Sequence, residues 1–169
     1  SLLTSMAKGE SSTEKCMTGI LLDYATADQR EFDPSLFDKW LDNLVGWAEV
    51  DSVCTGNYTV TEIPGKWTIW KPLIVKFSNS KNINKRRASL VLLCSPLRKH
   101  KDDRLADLAL ATVNKLKQEK EILITKAISW VLRSMVTHHR KKLITYLKEN
   151  TATLPTIAVR ETMVKIRTG

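Results

Sequence analysis

The sequence predicts an all-α protein, and three observations carry that prediction. Apolar residues recur at helical spacing in stretches of about ten to sixteen residues, joined by short loops. Capping and proline signals stand in front of several of these stretches. Alternation typical of a β-strand is limited to a weak pattern over residues 58–63.

The predicted helices follow one another closely along the chain. Ser11 and Glu14 have the spacing of a capping box. Asp33 and Pro34 supply an N-cap and a first-turn proline, and Pro96 closes a later helix. Helices are expected at about 17–24, 36–45, 47–54, 66–77, 82–94, 103–117, 121–137, 139–148 and 155–166.

Two segments of the chain echo each other. Residues 86–93 and 126–133 both start with a cation and continue with an apolar stretch, 40 residues apart. HEAT-like helical pairs repeat at about 40–47 residues. The spacing favours an α-solenoid over a bundle, and stacked pairs of this kind form a concave surface wide enough for a duplex.

The length and composition indicate a single domain over residues 1–169. There is no apolar run of the ~20 residues that a membrane span requires, so we expect no membrane association. Cys16, Cys54 and Cys94 lie far apart without metal-ligand spacing. We therefore expect reduced thiols, no metal, and an intracellular location that is cytoplasmic, nuclear or nucleoid-associated.

The charge is unevenly distributed. The net formal charge of the chain is +9. Residues 1–63 hold four Lys/Arg and eleven Asp/Glu, residues 64–125 hold fourteen and five, and residues 126–169 hold nine and two. A positive field over the last two thirds attracts polyanions, so nucleic acid is a candidate partner, although basic charge also serves solubility.

Trp47 and Asp51 are four residues apart, which places them on one face of a helix. An indole attracts a cationic ring, and a carboxylate favours positive charge that develops on a sugar. The alternative is a core tryptophan beside a surface or capping aspartate.

Lys126, Trp130 and Arg133 form a second stripe of cation, aromatic ring and cation along one helix face. Two unpaired cations are unusual on a buried face, and an exposed aromatic between cations suits nucleic acid. The alternative is a core tryptophan flanked by snorkelling side chains.

Lys85, Arg86 and Arg87 stand at the start of a predicted helix, where their charge opposes the macrodipole. Bound phosphate would compensate for them, and so would a carboxylate such as Asp51. A further basic segment lies at 138–142, which we interpret as surface or phosphate contact, because two histidines without a third ligand are weak support for a metal.

Taken in order, three segments resemble the DNA alkylation repair enzyme family, the HEAT-like repeat alkylpurine DNA glycosylases of the AlkD type. They are Trp-Ala-Glu-Val-Asp at 47–51, Asn-Ile-Asn-Lys-Arg-Arg-Ala at 82–88, and Lys-Ala-Ile-Ser-Trp-Val-Leu-Arg at 126–133. The resemblance covers about residues 12–167. It implies a right-handed α-solenoid of HEAT-like helical pairs with a basic concave face.

The resemblance also implies roles for individual residues. Asp51 matches the catalytic carboxylate, Trp47 and Trp130 match the indoles of the lesion cleft, and Arg87 matches an arginine that holds the DNA backbone. The other expected contacts to the DNA backbone are Arg86, Lys85, Lys126, Arg133, Arg140, Lys141 and Lys142. The implied activity is hydrolysis of the N-glycosidic bond of N3- and N7-alkylated purines in double-stranded DNA, by a monomer without a cofactor.

The chain departs from the family pattern in three ways. Ala48 stands where an acidic residue is frequent, and Asn84 where an aromatic residue is frequent. The family domain also begins with further helices, which we expect this chain to lack. The alternative functions are a non-catalytic helical-repeat scaffold for nucleic acid and a protein-interaction module.

Overall fold

A computed structural model describes residues 2–26, 28–30 and 32–169, and over those residues the protein consists of twelve α-helices with no β-strand. The helices are α1 (Leu2–Ala7), α2 (Ser12–Tyr24), α3 (Leu36–Asn43), α4 (Gly46–Cys54), α5 (Tyr58–Gly65), α6 (Trp67–Ser78), α7 (Ile83–Val91), α8 (Cys94–Lys99), α9 (Asp103–Leu116), α10 (Ile122–Ser134), α11 (Val136–Asn150) and α12 (Thr156–Thr168). The all-α prediction is confirmed. None of the helices over this described part of the chain has the length and apolar character needed to cross a bilayer.

Five helices form a row in which each packs against the next: α2, α4, α7, α10 and α12. Their first residues are 12, 46, 83, 122 and 156, so the row advances one helix every 34 to 39 residues. The other helices pack around this row, with α6 and α9 touching each other and both contacting α7. The short helices α5 and α8 contact each other, and α8 reaches α10 and α11.

The buried apolar side chains form one continuous cluster along the chain. Its largest members are aromatic. The Phe37 ring lies 5.0 Å from Trp40 and 5.0 Å from Trp70, the latter edge-on. Because aromatic rings remove large areas of apolar surface from water, this contact holds α3 against α6.

The helix ends differ from the predicted ones in informative ways. The capping box is confirmed, because the Ser11 hydroxyl accepts from the Glu14 amide and the Glu14 carboxylate accepts from the Ser11 amide. Asp33 does not act as an N-cap: its carboxylate accepts from the Ser35 amide, and the helix starts later, at Leu36. Pro34 therefore lies in the turn before α3.

Two further segments are helical where a strand or a stop was expected. The alternating residues 58–63 belong to α5, where the Thr59 hydroxyl donates to the Gly56 carbonyl and so bonds locally. Pro96 does not end a helix but lies in the first turn of α8, where a missing N–H costs nothing. The break predicted near residue 138 is a kink inside α11, at His139.

Helices α2 and α4 approach each other closely at Gly19. A Cβ atom added there would lie 1.9 Å from the Ser52 carbonyl oxygen. The Ser52 hydroxyl also donates to the Cys16 carbonyl across this contact, at 2.8 Å. The absence of a side chain at residue 19 therefore sets the distance at which α4 sits beside α2.

Gly19→Ala is expected to lower the free energy of unfolding by about 2 kcal/mol or more, because the backbones must separate. Thermal unfolding should show a fall in Tm of roughly 4 °C or more. Gly65→Ala is the matched control, since a Cβ there meets nothing within 4 Å. An equal Tm for the two variants would contradict this account of the α2–α4 contact.

Candidate functional site

The first turn of α4 presents Trp47 to solvent, with 60% of the residue exposed. Gly46 takes a positive φ of 72° immediately before it. The Val45 amide donates to the Glu49 carboxylate at 2.6 Å, and Lys15 on α2 pairs with the same carboxylate at 3.5 Å. These contacts hold the start of α4 in place, so Trp47 projects from an ordered turn.

Asp51 lies one turn after Trp47, and its carboxylate forms a bidentate ion pair with Arg87 of α7. This pair is called the Asp51–Arg87 clamp below. The Arg87 Nε donates to Asp51 Oδ1 at 2.8 Å, and its Nη2 donates to Oδ2 at 2.7 Å. The Arg87 Nη1 donates to the Leu123 carbonyl at the start of α10. One guanidinium therefore joins three consecutive helices of the row, and residues 51, 87 and 123 are evenly spaced by 36.

This clamp is mostly shielded from water. The exposed fractions of the Arg87 and Asp51 side chains are 7% and 14%. A bidentate guanidinium uses one lone pair of each carboxylate oxygen, so each oxygen of Asp51 keeps a second acceptor site. Arg87 likewise keeps two of its five N–H groups beyond the three that these hydrogen bonds use.

The stripe on α10 lies next to this clamp. Lys126 is exposed and forms no ion pair with any described residue, whereas Trp130 is half-buried against the core. Arg133 donates to the Ser129 carbonyl at 3.3 Å and lies 3.5 Å from the Glu161 carboxylate of α12. Trp130 is seven residues beyond Leu123 on the same helix, about 10 Å along its axis.

The cations at the start of α7 are compensated by carboxylates. Lys85 pairs with Asp38 at 2.8 Å and Asp42 at 2.9 Å. Burial alone would lower the pKa of the Lys85 ammonium, but these hydrogen bonds outweigh it and raise that pKa above its ordinary value. The Arg86 guanidinium donates two hydrogen bonds to the Glu119 carboxylate, at 2.8 and 3.1 Å.

Arg86 also donates to the carbonyls of Ser80 and Lys81, so all three nitrogens of its guanidinium form hydrogen bonds. The expectation that Lys85 and Arg86 contact a DNA backbone stays a prediction, and in the structure both side chains pair with carboxylates of the chain. Carboxylates, one of the two compensating groups considered from the sequence, are present at this helix start.

The basic segment near residue 140 belongs to α11, which lies outside the row. Lys142 pairs with Asp107 at 2.7 Å and Asp103 at 3.0 Å, and those hydrogen bonds raise the pKa of its ammonium. Arg140 donates to the Ile166 carbonyl at 2.6 Å, and Lys141 is exposed without an ion pair to a described residue. The structure therefore does not bring this segment into the clamp.

The thiols of Cys54 and Cys94 lie within electrostatic range of Asp51 and Arg87. Cys54 and Cys94 are fully buried, and burial raises the pKa of the Cys94 thiol to about 12. Within the described residues, no three His, Cys, Asp or Glu side chains are grouped as a metal site would need. The Asp51 carboxylate is thus the candidate reactive group of the row.

Sequence reasoning missed two parts of the site. The Leu123 carbonyl is a backbone acceptor, which no side-chain pattern reveals, although the equal spacing of 51, 87 and 123 was a usable signal. The contact of Lys15 with Glu49 was also missed, because it depends on how α2 packs on α4.

Arg87→Ala is expected to lower the free energy of unfolding by about 3 kcal/mol or more, because it leaves the shielded Asp51 carboxylate unpaired. A double-mutant cycle with Asp51→Ala is measured by denaturant unfolding. The double variant should lose much less unfolding free energy than the sum of the losses in the two single variants. Arg104→Ala is the control: its pair with Asp102 is exposed, so we expect a loss under about 1 kcal/mol. Additive effects of the Asp51 and Arg87 substitutions would disprove the coupling.

Comparison with known proteins agrees with the sequence resemblance. No curated protein matches the chain. The model of the DNA alkylation repair enzyme family matches residues 3–166, which include α4, α7, α10 and most of α12. The chain, with its Asp51–Arg87 clamp, belongs to the DNA alkylation repair enzyme family.

Proposed function

We propose that this protein is a monofunctional DNA glycosylase that releases N3- and N7-alkylated purines from double-stranded DNA. The observation that carries the proposal is the carboxylate of Asp51, held by Arg87 one turn from the exposed indole of Trp47. Membership of a DNA repair family supports DNA as the partner. In this proposal the protein acts inside the cell as a monomer without a cofactor.

The proposal includes the architecture. In it, residues 1–169 form one right-handed α-solenoid of HEAT-like helical pairs. The row of α2, α4, α7, α10 and α12 lines its concave face. Support comes from the contacts along the row and from its advance of one helix per 34 to 39 residues.

The chemistry needs little beyond a well-placed anion. In an N3- or N7-alkylated purine the base is already cationic, so when the C1′–N9 bond breaks its electron pair leaves with a neutral base. Positive charge develops on the deoxyribose, where the Asp51 carboxylate stabilises it. A water molecule then bonds to C1′ and gives up its proton, for which the second lone pair of an Asp51 oxygen is a suitable acceptor.

The two tryptophans would hold the cationic nucleotide. A cation over an indole face gains about 0.5–2 kcal/mol. Trp47 is well suited to this because its ring is largely exposed, whereas Trp130 is half-buried against the core. Arg87 would keep Asp51 in place while its two remaining N–H groups reach the adjacent phosphate.

Lys126 and Arg133 would supply sequence-independent affinity for the backbone, because both stand on the open stripe of α10. Arg140 and Lys141 would contribute only if the duplex extends toward α11. Lys85, Arg86 and Lys142, which already pair with carboxylates of the chain, would contribute less to that affinity.

One observation favours a second candidate, a DNA-binding scaffold without catalysis. Arg87 neutralises Asp51 with two hydrogen bonds, and a neutralised carboxylate stabilises a cation less strongly. This candidate retains duplex binding but releases no base.

The decisive assay incubates the protein with a duplex containing N7-methylguanine and measures free base. We expect release by the parent protein and a fall of about 10²-fold or more in Asp51→Asn, because the amide does not stabilise the sugar cation. Glu119→Gln is the matched control, since Glu119 forms a similar pair with Arg86 rather than with Arg87.

Activity in Asp51→Asn equal to that of Glu119→Gln would rule out the catalytic role. Absence of release by the parent protein, with duplex affinity intact, would instead support the scaffold.

Trp47→Ala is expected to reduce base release by roughly 2- to 30-fold, the equivalent of one cation–π interaction. Trp47→Phe should retain part of the rate, because a phenyl face still attracts a cation. Both variants should unfold at nearly the parent Tm, since the indole is 60% exposed. An unchanged rate in Trp47→Ala would remove this residue from the lesion cleft.

A further inference from the structure

The chain segment that leads into α4 is anchored to the first turn of α7. The side-chain amide of Asn84 donates to the Leu44 carbonyl at 2.6 Å. Leu44 is the C-cap of α3 and immediately precedes Val45, the N-cap of α4. Asn84 therefore binds the chain three residues before the exposed ring of Trp47.

This hydrogen bond fixes one end of a peptide plane whose other end is also held. The Leu44 carbonyl and the Val45 amide belong to the same planar unit. The carbonyl accepts from Asn84, and the amide donates to the Glu49 carboxylate, which lies 3.5 Å from the Lys15 ammonium. The plane is thus held by side chains of α7 and α4 and, through Lys15, by α2.

The direction in which α4 starts depends on this plane. Gly46 follows Val45 and takes a positive φ of 72°. Glycine adopts this region readily and has no Cβ that restricts rotation about its backbone bonds. Gly46 by itself therefore does not fix the first turn of α4. Trp47 is the next residue, so the direction of its ring depends on the held peptide plane.

Asn84 has a defined orientation toward this plane. Its backbone amide donates to the Asn82 side chain at 2.8 Å, and Asn82 is the N-cap of α7. The Asn82 side-chain amide donates in turn to the Asp42 carboxylate of α3 at 3.2 Å. The first turn of α7 is therefore joined to α3 at the point where the chain turns into α4.

The same face of α7 binds the α4 segment at two points. Asn84 and Arg87 are three residues apart on the helix. Asn84 binds the carbonyl before α4, and Arg87 binds the Asp51 carboxylate in the second turn of α4. Trp47 lies between these two points of attachment, so one helix sets the positions of both the indole and the carboxylate.

We infer that Asn84 is a positioning residue, which orients the peptide plane at the start of α4 and thereby holds the Trp47 indole in register with the Asp51 carboxylate. The inference rests on the proposed function for the role of the indole in base release. Asn84 contacts neither the base nor the sugar in this mechanism and acts through Trp47. Because a reaction that depends on alignment is slowed by a small displacement of a binding group, loss of the Asn84 hydrogen bond should slow base release.

The first experiment measures release of N7-methylguanine by Asn84→Asp. The new side chain has the shape of the old one but no N–H donor, and its charge near the N-terminus of α7 favours that helix. We expect the rate to fall by roughly 2- to 12-fold, the equivalent of one hydrogen bond. Asn57→Asp is the matched control, because it makes the same change at the exposed start of α5 and should retain the parent rate.

The second experiment separates positioning from a general structural role. In the Trp47→Ala background, Asn84→Asp should lower the rate little further, because the residue through which Asn84 acts is missing. A merely structural role would lower the rate by the same factor in both backgrounds, and that result would overturn the inference.

The third experiment needs no base release. The protein is labelled with fluorotryptophan, and the fluorine NMR signal of residue 47 is identified as the one missing from Trp47→Phe. In Asn84→Asp this signal should shift or broaden, whereas the signals of the fully buried Trp40 and Trp70 should stay in place. An unchanged signal of residue 47 would overturn the inference.

The outcomes distinguish this inference from the proposed function. Equal rates in Asn84→Asp and Asn57→Asp would refute the positioning role while the glycosylase proposal stands. If the parent protein releases no base, the glycosylase proposal fails, and the fluorine NMR comparison still decides whether Asn84 orients Trp47. Both variants should unfold at nearly the parent Tm, so that a change in rate is not a loss of folded protein.

Discussion

The guanidinium of Arg87 is the contact on which the rest of the row depends. It bonds the Asp51 carboxylate of α4 and the Leu123 carbonyl of α10 while it stands on α7 between them. Because a shielded ion pair is costly to break on one side only, the three helices are held at a fixed spacing. The same contact sets the position of the one carboxylate that the proposed chemistry uses. Stability and function are thus coupled at one residue.

The uneven charge along the sequence is resolved by the same packing. The acidic first third supplies Asp38, Asp42 and Asp51, and the middle third supplies Lys85 and Arg87 to meet them. The opposite charges of the two segments therefore partly neutralise each other in ion pairs within the protein. What remains includes the surplus of residues 126–169, on α10, α11 and α12. The net formal charge of the whole chain therefore overstates the positive charge that is available to a partner. The location of the unpaired cations is more informative than the net charge.

The sequence was sufficient for the features that local chemistry determines. Helical periodicity predicted the all-α class, and the capping box of Ser11 and Glu14 was readable from four residues. The sequence was not sufficient for the features that tertiary contacts determine. The pairing of Lys85 and Arg86 with carboxylates was not predictable, because those partners lie far away in the chain. The Leu123 carbonyl has no side-chain signature at all. The pattern at 58–63 alternates, yet local hydrogen bonding and packing on α8 make it a helix.

The pairing of Asp51 raises a difficulty for the proposed catalysis, and the proposed substrate class resolves it. A carboxylate that is paired with a guanidinium offers less net negative charge than an isolated one. It is therefore poorly suited to a reaction that needs a strong base. An alkylated purine cation needs no strong base or acid, because its leaving group departs neutral. What the reaction needs is an oxygen that stays in one place as the sugar becomes positive, and a bidentate clamp provides that. In the proposed function, the Arg87 contact therefore favours cationic substrates over neutral ones, which would have to be protonated before they leave.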